Sequence, residues 1–227
     1  MKSKGSPFKI AVIITLVVVI LLTVLVIMNK NQSKDEQEMS FGETPSIEGQ
    51  PIIGDPDAPV TVVEFGDFKC PACKAWGETI FPQLVNDYVE AGKAKFSFIN
   101  VLFHGEESKL ASLASESVYK QSPSAYWEFN KALFDEQPSA NHDSQWVTTE
   151  KIIEIASDIN SIDIDKLKTS IENNSEINEV KKDTELVNKF DVQLTPTIMV
   201  NNIMIEDPFD YEEIKLAIDQ ALEEANL

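Results

Sequence analysis

Changes in the period of apolar residues divide this chain before any single residue does. Ile10 to Met28 is apolar with only Thr15 and Thr23 as interruptions, and as a helix it would rise about 28 Å, the depth of a bilayer's hydrocarbon core. Asn29 to about Glu48 is polar and reads as a tether. Gly54-Asp55-Pro56-Asp57-Ala58-Pro59 is a turn cluster. Val60-Thr61-Val62-Val63-Glu64-Phe65 is apolar on both faces of an extended chain, which predicts a strand at the centre of its sheet. Helical spacing follows from Pro71 to about Glu90, with Pro71 suited to a first turn, Pro82 predicting a kink and Gly92 a stop. Phe96 to Phe103 is a second buried strand, and the β-α-β unit so formed is parallel and right-handed.

From Glu107 to Phe190 the period is helical. Leu110, Leu113, Ala114 and Val118 share one helix face; Tyr126, Phe129 and Leu133 mark a second helix, stopped near Pro138. Ile152, Ile155 and Ala156 mark a third behind Thr148 or Thr149, Ile164, Leu167 and Ile171 a fourth, and Ile177, Val180, Thr184 and Val187 a fifth. Strand composition returns at Thr197-Ile198-Met199-Val200 and Ile203-Met204-Ile205, joined by Asn201-Asn202 as a tight hairpin. Asp210 with Glu213 resembles a capping box, and Ile214, Ala217, Ile218, Ala221 and Leu222 build a final amphipathic helix. The element order is that of an α/β core interrupted by a helical domain. Its expected parts are 1–9 before the span, 10–28 a transmembrane anchor, 29–48 a linker, 49–106 the first half of the core, 107–190 the helical insert and 191–227 the second half.

Charge orients this plan. Lys2, Lys4 and Lys9 precede the apolar span, and the positive-inside rule keeps them cytoplasmic, so the globular part faces outward. No small-residue cleavage site follows Met28, and the span reads as an uncleaved anchor. The formal net charge is −19, and the part beyond the span is more acidic still, because all the acidic residues lie there. Binding to nucleic acid, a polyanion, is excluded on sign. The acidity reads first as solubility and secondarily as affinity for a hard cation.

Candidate chemistry concentrates in Cys70-Pro71-Ala72-Cys73, which holds both cysteines of the chain and stands where a strand hands over to a helix. Unpaired N–H groups and the helix dipole at such a start favour a thiolate. Cys70 is therefore the expected nucleophile, and Cys73, one turn further in, the resolving thiol. A structural disulfide and half of a zinc site compete with this reading; the second lacks two further thiol or histidine ligands at metal spacing. Trp76, Trp127 and Trp146 read as packing residues, and His104 and His142 lack ligand partners.

The C-x-x-C at the first helix of a β-α-β/β-β-α core resembles the thioredoxin fold, and the helical insertion resembles its DsbA-like branch. The anchor, F-G-D-F-K-C-P-A-C at 65–73, N-V-L-F-H-G at 100–105 and T-P-T-I at 195–198 are similar to the membrane-anchored, BdbD-like oxidases of Gram-positive bacteria. The resemblance spans about residues 47–225. It implies a thiol–disulfide oxidase that donates the Cys70–Cys73 disulfide to exported proteins, with a reductase or isomerase of the same fold, or a non-catalytic module with a structural disulfide, as alternatives. Pro71-Ala72 between the cysteines tunes the poise. By the same resemblance Thr195-Pro196 is a cis-proline loop that with Pro71 and Ala72 binds substrate, and Glu64 is a buried proton acceptor beneath the cysteines. The lysine that pairs with that acid in relatives corresponds to Ser97. No cofactor is implied for catalysis; a structural calcium is, with ligands at Gln50, Glu116 and Asp183. The implied partners are cysteine-containing exported proteins and a quinone-linked membrane reoxidase of the DsbB type.

Overall fold

The computed structural model describes residues 16–18, 21, 23, 39–141 and 144–225. The chain divides into two units, Met1–Glu38 and Met39–Leu227. Of the first, Leu16, Val17, Val18, Leu21 and Thr23 are described; all are helical and exposed. Among the described residues no helix is long and apolar enough to cross a membrane. The span read at 10–28 lies mostly outside them, as do Lys2, Lys4, Lys9 and His142.

The second unit has a six-stranded mixed sheet in the order β1-β6-β5-β3-β4-β2. Its strands are β1 (Met39–Ser40), β2 (Ile52–Ile53), β3 (Val60–Gly66), β4 (Ala94–Asn100), β5 (Thr197–Val200) and β6 (Ile203–Met204). Every residue of β3 is buried, which is why the run is apolar on both faces, broken only by Thr61 and Glu64. β3 pairs in parallel with β4, Val60 opposite Ala94 through Gly66 opposite Asn100, and antiparallel with β5. Alternation then separates two cores. Val60, Val62, Phe96 and Phe98 face the helices that carry Trp76, Phe129 and Ile214. Val63, Phe65 and Ile99 face Val187 and Phe190.

The helices are α1 (Pro71–Thr79), α2 (Phe81–Leu84), α3 (Glu106–Gln121), α4 (Tyr126–Asp135), α5 (Thr149–Ser157), α6 (Ile164–Glu172), α7 (Ile177–Lys189) and α8 (Tyr211–Ala225), with five of them between β4 and β5. The single kinked helix read over 71–90 is three pieces, because a π-helical turn (Val85–Val89) follows α2. Pro82 has no N–H for the Glu78 carbonyl, and the break falls at Ile80, whose N–H still reaches the Trp76 carbonyl at 2.9 Å. Gly92 ends the segment with φ of 66°.

Other differences are local. β4 stops at Asn100 rather than Phe103, because the chain turns away after the Val101 N–H bonds the Gly66 carbonyl at 2.8 Å. Residues 39–48, read as the end of a tether, carry β1, and Phe41 packs edge-on against Phe190 with ring centroids 5.2 Å apart. The face of α7 was misread at one position: Asp183 is buried and Thr184 is exposed. Asp210 caps α8 by accepting from the Glu213 N–H, but the Glu213 carboxylate reaches back to the N–H groups of Glu206 and Asp207, so the reciprocal half of the capping box is absent.

Candidate active site

Cys70 is the N-cap of α1, in extended conformation, and Pro71 follows at the first helical position. The Cys70 N–H donates to the Asp67 carbonyl at 2.9 Å, closing the turn that delivers strand β3 to the helix. Both cysteines are free thiols and both are buried, Cys70 to 7% exposure and Cys73 to 1%. The Thr195–Pro196 bond is cis, and Cys70 Sγ lies 3.3 Å from the Thr195 carbonyl oxygen, to which it donates only while it carries its proton. Pro71 is exposed and Ala72 half-buried beside it, while Leu194 next to the proline loop is 75% exposed.

Identical side chains one turn apart titrate in opposite directions. The Cys70 thiol is lowered to about 5: the Cys73 thiol donates to its sulfur, burial opposes, and the Thr195 side chain and the N–H groups of Cys73 and Ala72 add to the lowering. Cys73 is pushed well up by burial, by that same bond to Cys70 and by the charges of Glu64 and Cys70, against one bond from the Asp67 N–H at 3.5 Å. At neutral pH the pair is one thiolate and one thiol.

Glu64 lies on the α1 side of β3, 4% exposed, and Oε1 has no hydrogen-bond partner. Burial, then the charge on Cys70, holds its carboxyl well above the usual range. The expectation about Ser97 is corrected by the register. Ser97 stands opposite Val63 on the other face of the sheet and donates to the Pro51 carbonyl at 2.9 Å; the residue beside Glu64 is Phe98. An apolar ring there supplies no charge to hold Glu64 ionised.

Three supports of the cysteine turn escaped sequence reading. The fully buried Asp67 accepts from the Lys69 N–H at 2.9 Å, from the Ser108 hydroxyl at 2.9 Å, and from the His104 N–H, with His104 Nδ1 at 2.8 Å. His104 is thus a satisfied histidine with a specific partner. Gln137, buried in the loop after α4, donates to the carbonyls of Phe68 and Cys70 at 2.7 and 3.1 Å. Lys69 pairs with Glu107, whose other oxygen accepts from the N–H groups of Trp146 and Val147 at 2.9 and 3.0 Å. Burial pushes Glu107 up, but these bonds outweigh it and the net shift is downward. Only the acidic character of 106–107 at a helix start was available beforehand. Trp76 is buried and donates to the Pro208 carbonyl, and Trp127 and Trp146 are partly buried against the core.

Gln50, Glu116 and Asp183, from three separate segments, meet around Asn100. Asn100 Nδ2 donates to Glu116 at 2.8 Å and to Asp183 at 2.7 Å, and Gln50 Nε2 donates to Asp183 at 2.6 Å. Burial, helped by the neighbouring Asp183 charge, raises Glu116 to about 8; burial raises Asp183 to about 6 against the bonds from Asn100 and Gln50. Gln50 Oε1 has no partner. Two buried carboxyl groups with no ion-pair partner within 4 Å among the described residues, and an idle amide oxygen, fit a hard cation. Among the described residues no three His, Cys, Asp or Glu side chains group as a metal site, so any such site depends on amide oxygens.

Residues 46–220 match the family model described as thioredoxin. Disulfide bond formation protein D of Bacillus subtilis is 45% identical over 178 residues, covering 78% of this chain and 79% of that protein. Probable disulfide bond formation protein D of Bacillus anthracis is 32% identical over 223 residues, 98% of this chain and 99% of that one. The crystal structure of oxidised BdbD from Bacillus subtilis superposes with a TM-score of 0.78 at 44% identity, over 82% of this chain and 98% of that one. Chlamydia trachomatis DsbA superposes with a TM-score of 0.69 at 25% identity, over 78% and 94%.

Proposed function

This chain belongs to the thioredoxin family and is a thiol–disulfide oxidoreductase, and from that premise we propose that it acts as an oxidase, giving the Cys70–Cys73 disulfide to exported cysteine-containing proteins at the outer face of a membrane. What carries the direction of transfer is the Cys70 thiol, lowered to about 5 by the Cys73 thiol, Thr195 and the helix-start N–H groups that converge on its sulfur. A disulfide whose reduced form is so stabilised gives its oxidising equivalents away.

The steps follow from the geometry. A substrate thiolate attacks Cys70 Sγ, the more exposed sulfur, and the Cys70–Cys73 bond breaks. Cys73 leaves as a thiolate and takes a proton, for which the nearby carboxyl group of Glu64, its acid form favoured by burial, is the proposed donor. A second substrate thiolate then attacks the substrate sulfur of the mixed disulfide and expels Cys70, a good leaving group because its thiolate is stable. The substrate is oxidised by two electrons and the enzyme ends as dithiol. The Thr195 carbonyl, Pro196, Pro71 and Ala72 border the attacked sulfur and would take an extended substrate backbone.

The anchor at 10–28 and the lysines before it support an extracytoplasmic domain on a cytoplasmic N-terminus. With no second cysteine pair in the chain, reoxidation falls to a partner, for which a quinone-linked membrane protein is the proposed class. A calcium ion held by Gln50, Glu116 and Asp183 would neutralise buried charge and tie three segments together. The deciding experiment is the reduction potential: the oxidase reading expects a value near the roughly −120 mV of DsbA, and one near the roughly −270 mV of thioredoxin would make this a reductase.

A further inference from the structure

Behind α1, away from the proline loop, a cavity of about 580 Å³ opens between α1, α2 and α4. Its lining includes Glu64 and Cys73 but not Cys70, Thr195 or Pro196. It is thus a second face of the buried pair rather than part of the face where substrate sulfur attacks. Its exposed walls are mainly apolar, with Phe81 stacked on Trp127 at 6.2 Å between centroids and Phe96 5.7 Å from Trp127, and the charged residues that also line it, Lys74, Glu78, Glu90, Lys131 and Asp135, are of both signs. Interiors of this size normally close on themselves, whereas small-molecule sites occupy roughly 300–1,000 Å³ with apolar walls and few polar groups.

Two independent observations say what would fill it. The Glu64 carboxyl is buried, and its Oε1 has no partner within the protein. Burial favours its acid form, which offers a hydrogen-bond donor and repels no neutral group. Gly77 stands on the rim, inside α1, where glycine costs about 1 kcal/mol relative to alanine. Its backbone is not left-handed, and a Cβ built there meets nothing within 4 Å. Neither conformation nor internal packing requires the glycine, so the space beside it is open to something from outside.

We propose that this cavity binds a neutral, flat, mainly apolar small molecule that passes over Gly77 and presents a carbonyl or similar acceptor to Glu64. A charged ligand is disfavoured because most of the lining surface is apolar, where an ionic group would lose water, and because the charged residues around it are of both signs. The proposal does not depend on the direction of disulfide transfer.

The test titrates the reduced full-length protein with a neutral dimethylamino-naphthyl ketone dye, whose emission shifts to the blue in apolar surroundings. One dye per chain should bind saturably. Gly77→Leu, which adds a side chain at a lining position where a Cβ meets nothing within 4 Å, and Glu64→Leu, which removes the donor, should each weaken binding at least about tenfold. Glu64→Gln keeps a donor and should keep most of the affinity. Absence of saturable binding, undiminished affinity in Gly77→Leu, or loss of binding in Leu194→Ser on the catalytic face would each overturn the site. Should Gly77→Leu fail to fold, nuclear magnetic resonance of the unaltered protein decides: the dye must move the Gly77 amide and Trp127 indole signals, and unmoved signals refute the proposal.

Discussion

Cys70 and Cys73 are separated by one helical turn and by a large difference in acidity, and the cause is who donates to whom. Cys70 receives hydrogen bonds from Cys73, Thr195 and backbone N–H groups, while Cys73 gives its proton toward Cys70 and faces the field of Glu64. Ultraviolet thiolate absorbance against pH should therefore place Cys70 near 5, against about 8.5 for a free cysteine. Because the folded value is the lower one, the thiolate stabilises the reduced form fully above about 8.5, and the effect fades as pH falls through 5. Thermal unfolding of the two redox forms should diverge with rising pH over that window, the reduced form gaining; a constant gap would contradict the assignment. Glu64 has the opposite sign. Its folded value is raised, so its contribution is present in full below the ordinary glutamate value of about 4.3 and is lost as pH rises. Glu64→Gln should thus gain stability over the native protein as pH increases above that point. In turnover the same substitution should slow the step in which Cys73 changes protonation, on the order of 10²-fold if Glu64 is the proton donor.

At the scale of elements, the cysteine turn is held from the helical insert as much as from the sheet. Gln137 bonds two of its carbonyls, and Glu107 of α3 joins Lys69 to the N–H groups of Trp146 and Val147. Lys69 and Glu107 are both largely buried, so removing one partner strands the other's charge. Glu107→Ala should cost about 3–5 kcal/mol in denaturant unfolding. The double variant with Lys69→Met should recover a substantial part of that, since a buried pair replaced by apolar groups is often near neutral. Full additivity of the two losses would mean the pair is not coupled. Gln137→Leu should lower stability by about 1–3 kcal/mol through two unpaired carbonyls, and should raise the Cys70 value if the turn loosens.

For the whole molecule, the acidic balance and the calcium proposal bear on one another. A formal charge of −19 spread over the surface is screened beyond about 8 Å in physiological salt, so it acts weakly on Cys70, whose donors are in contact. Buried charge is another matter. Glu116 and Asp183 come from different elements and meet without a cation of the protein's own. Added calcium should raise the melting temperature, and a chelator should lower it. Glu116→Gln and Asp183→Asn should abolish the calcium response, and Asp183→Asn should raise the metal-free stability by relieving an unpaired acid. Calcium that leaves the melting temperature unchanged would remove the site from the proposal.

Sequence periodicity by itself determined the long elements, because each reports on a local rule, but not the short edge strands β1 and β2 or the π-helical turn. An apolar run on both faces can only be a central strand, and helical spacing across 107–190 can only bury one stripe of each helix. The C-x-x-C at a strand-to-helix junction placed the thiols at donor groups for the same reason: the N-terminal N–H groups of a helix are a property of the helix. What lay beyond local rules needed the fold. Only the β3–β4 register shows that Phe98, not Ser97, stands beside Glu64, since a shift of one residue moves a side chain to the other face. Only packing shows Asp183 turned inward where Thr184 was expected, and brings Gln137 and Glu107 to the cysteine turn across long stretches of chain. The acidities were legible in direction for Cys70, which depends on its own helix. They were not for Cys73 or Glu64, whose titration depends on burial and on each other's charge, both of which exist only in the folded chain.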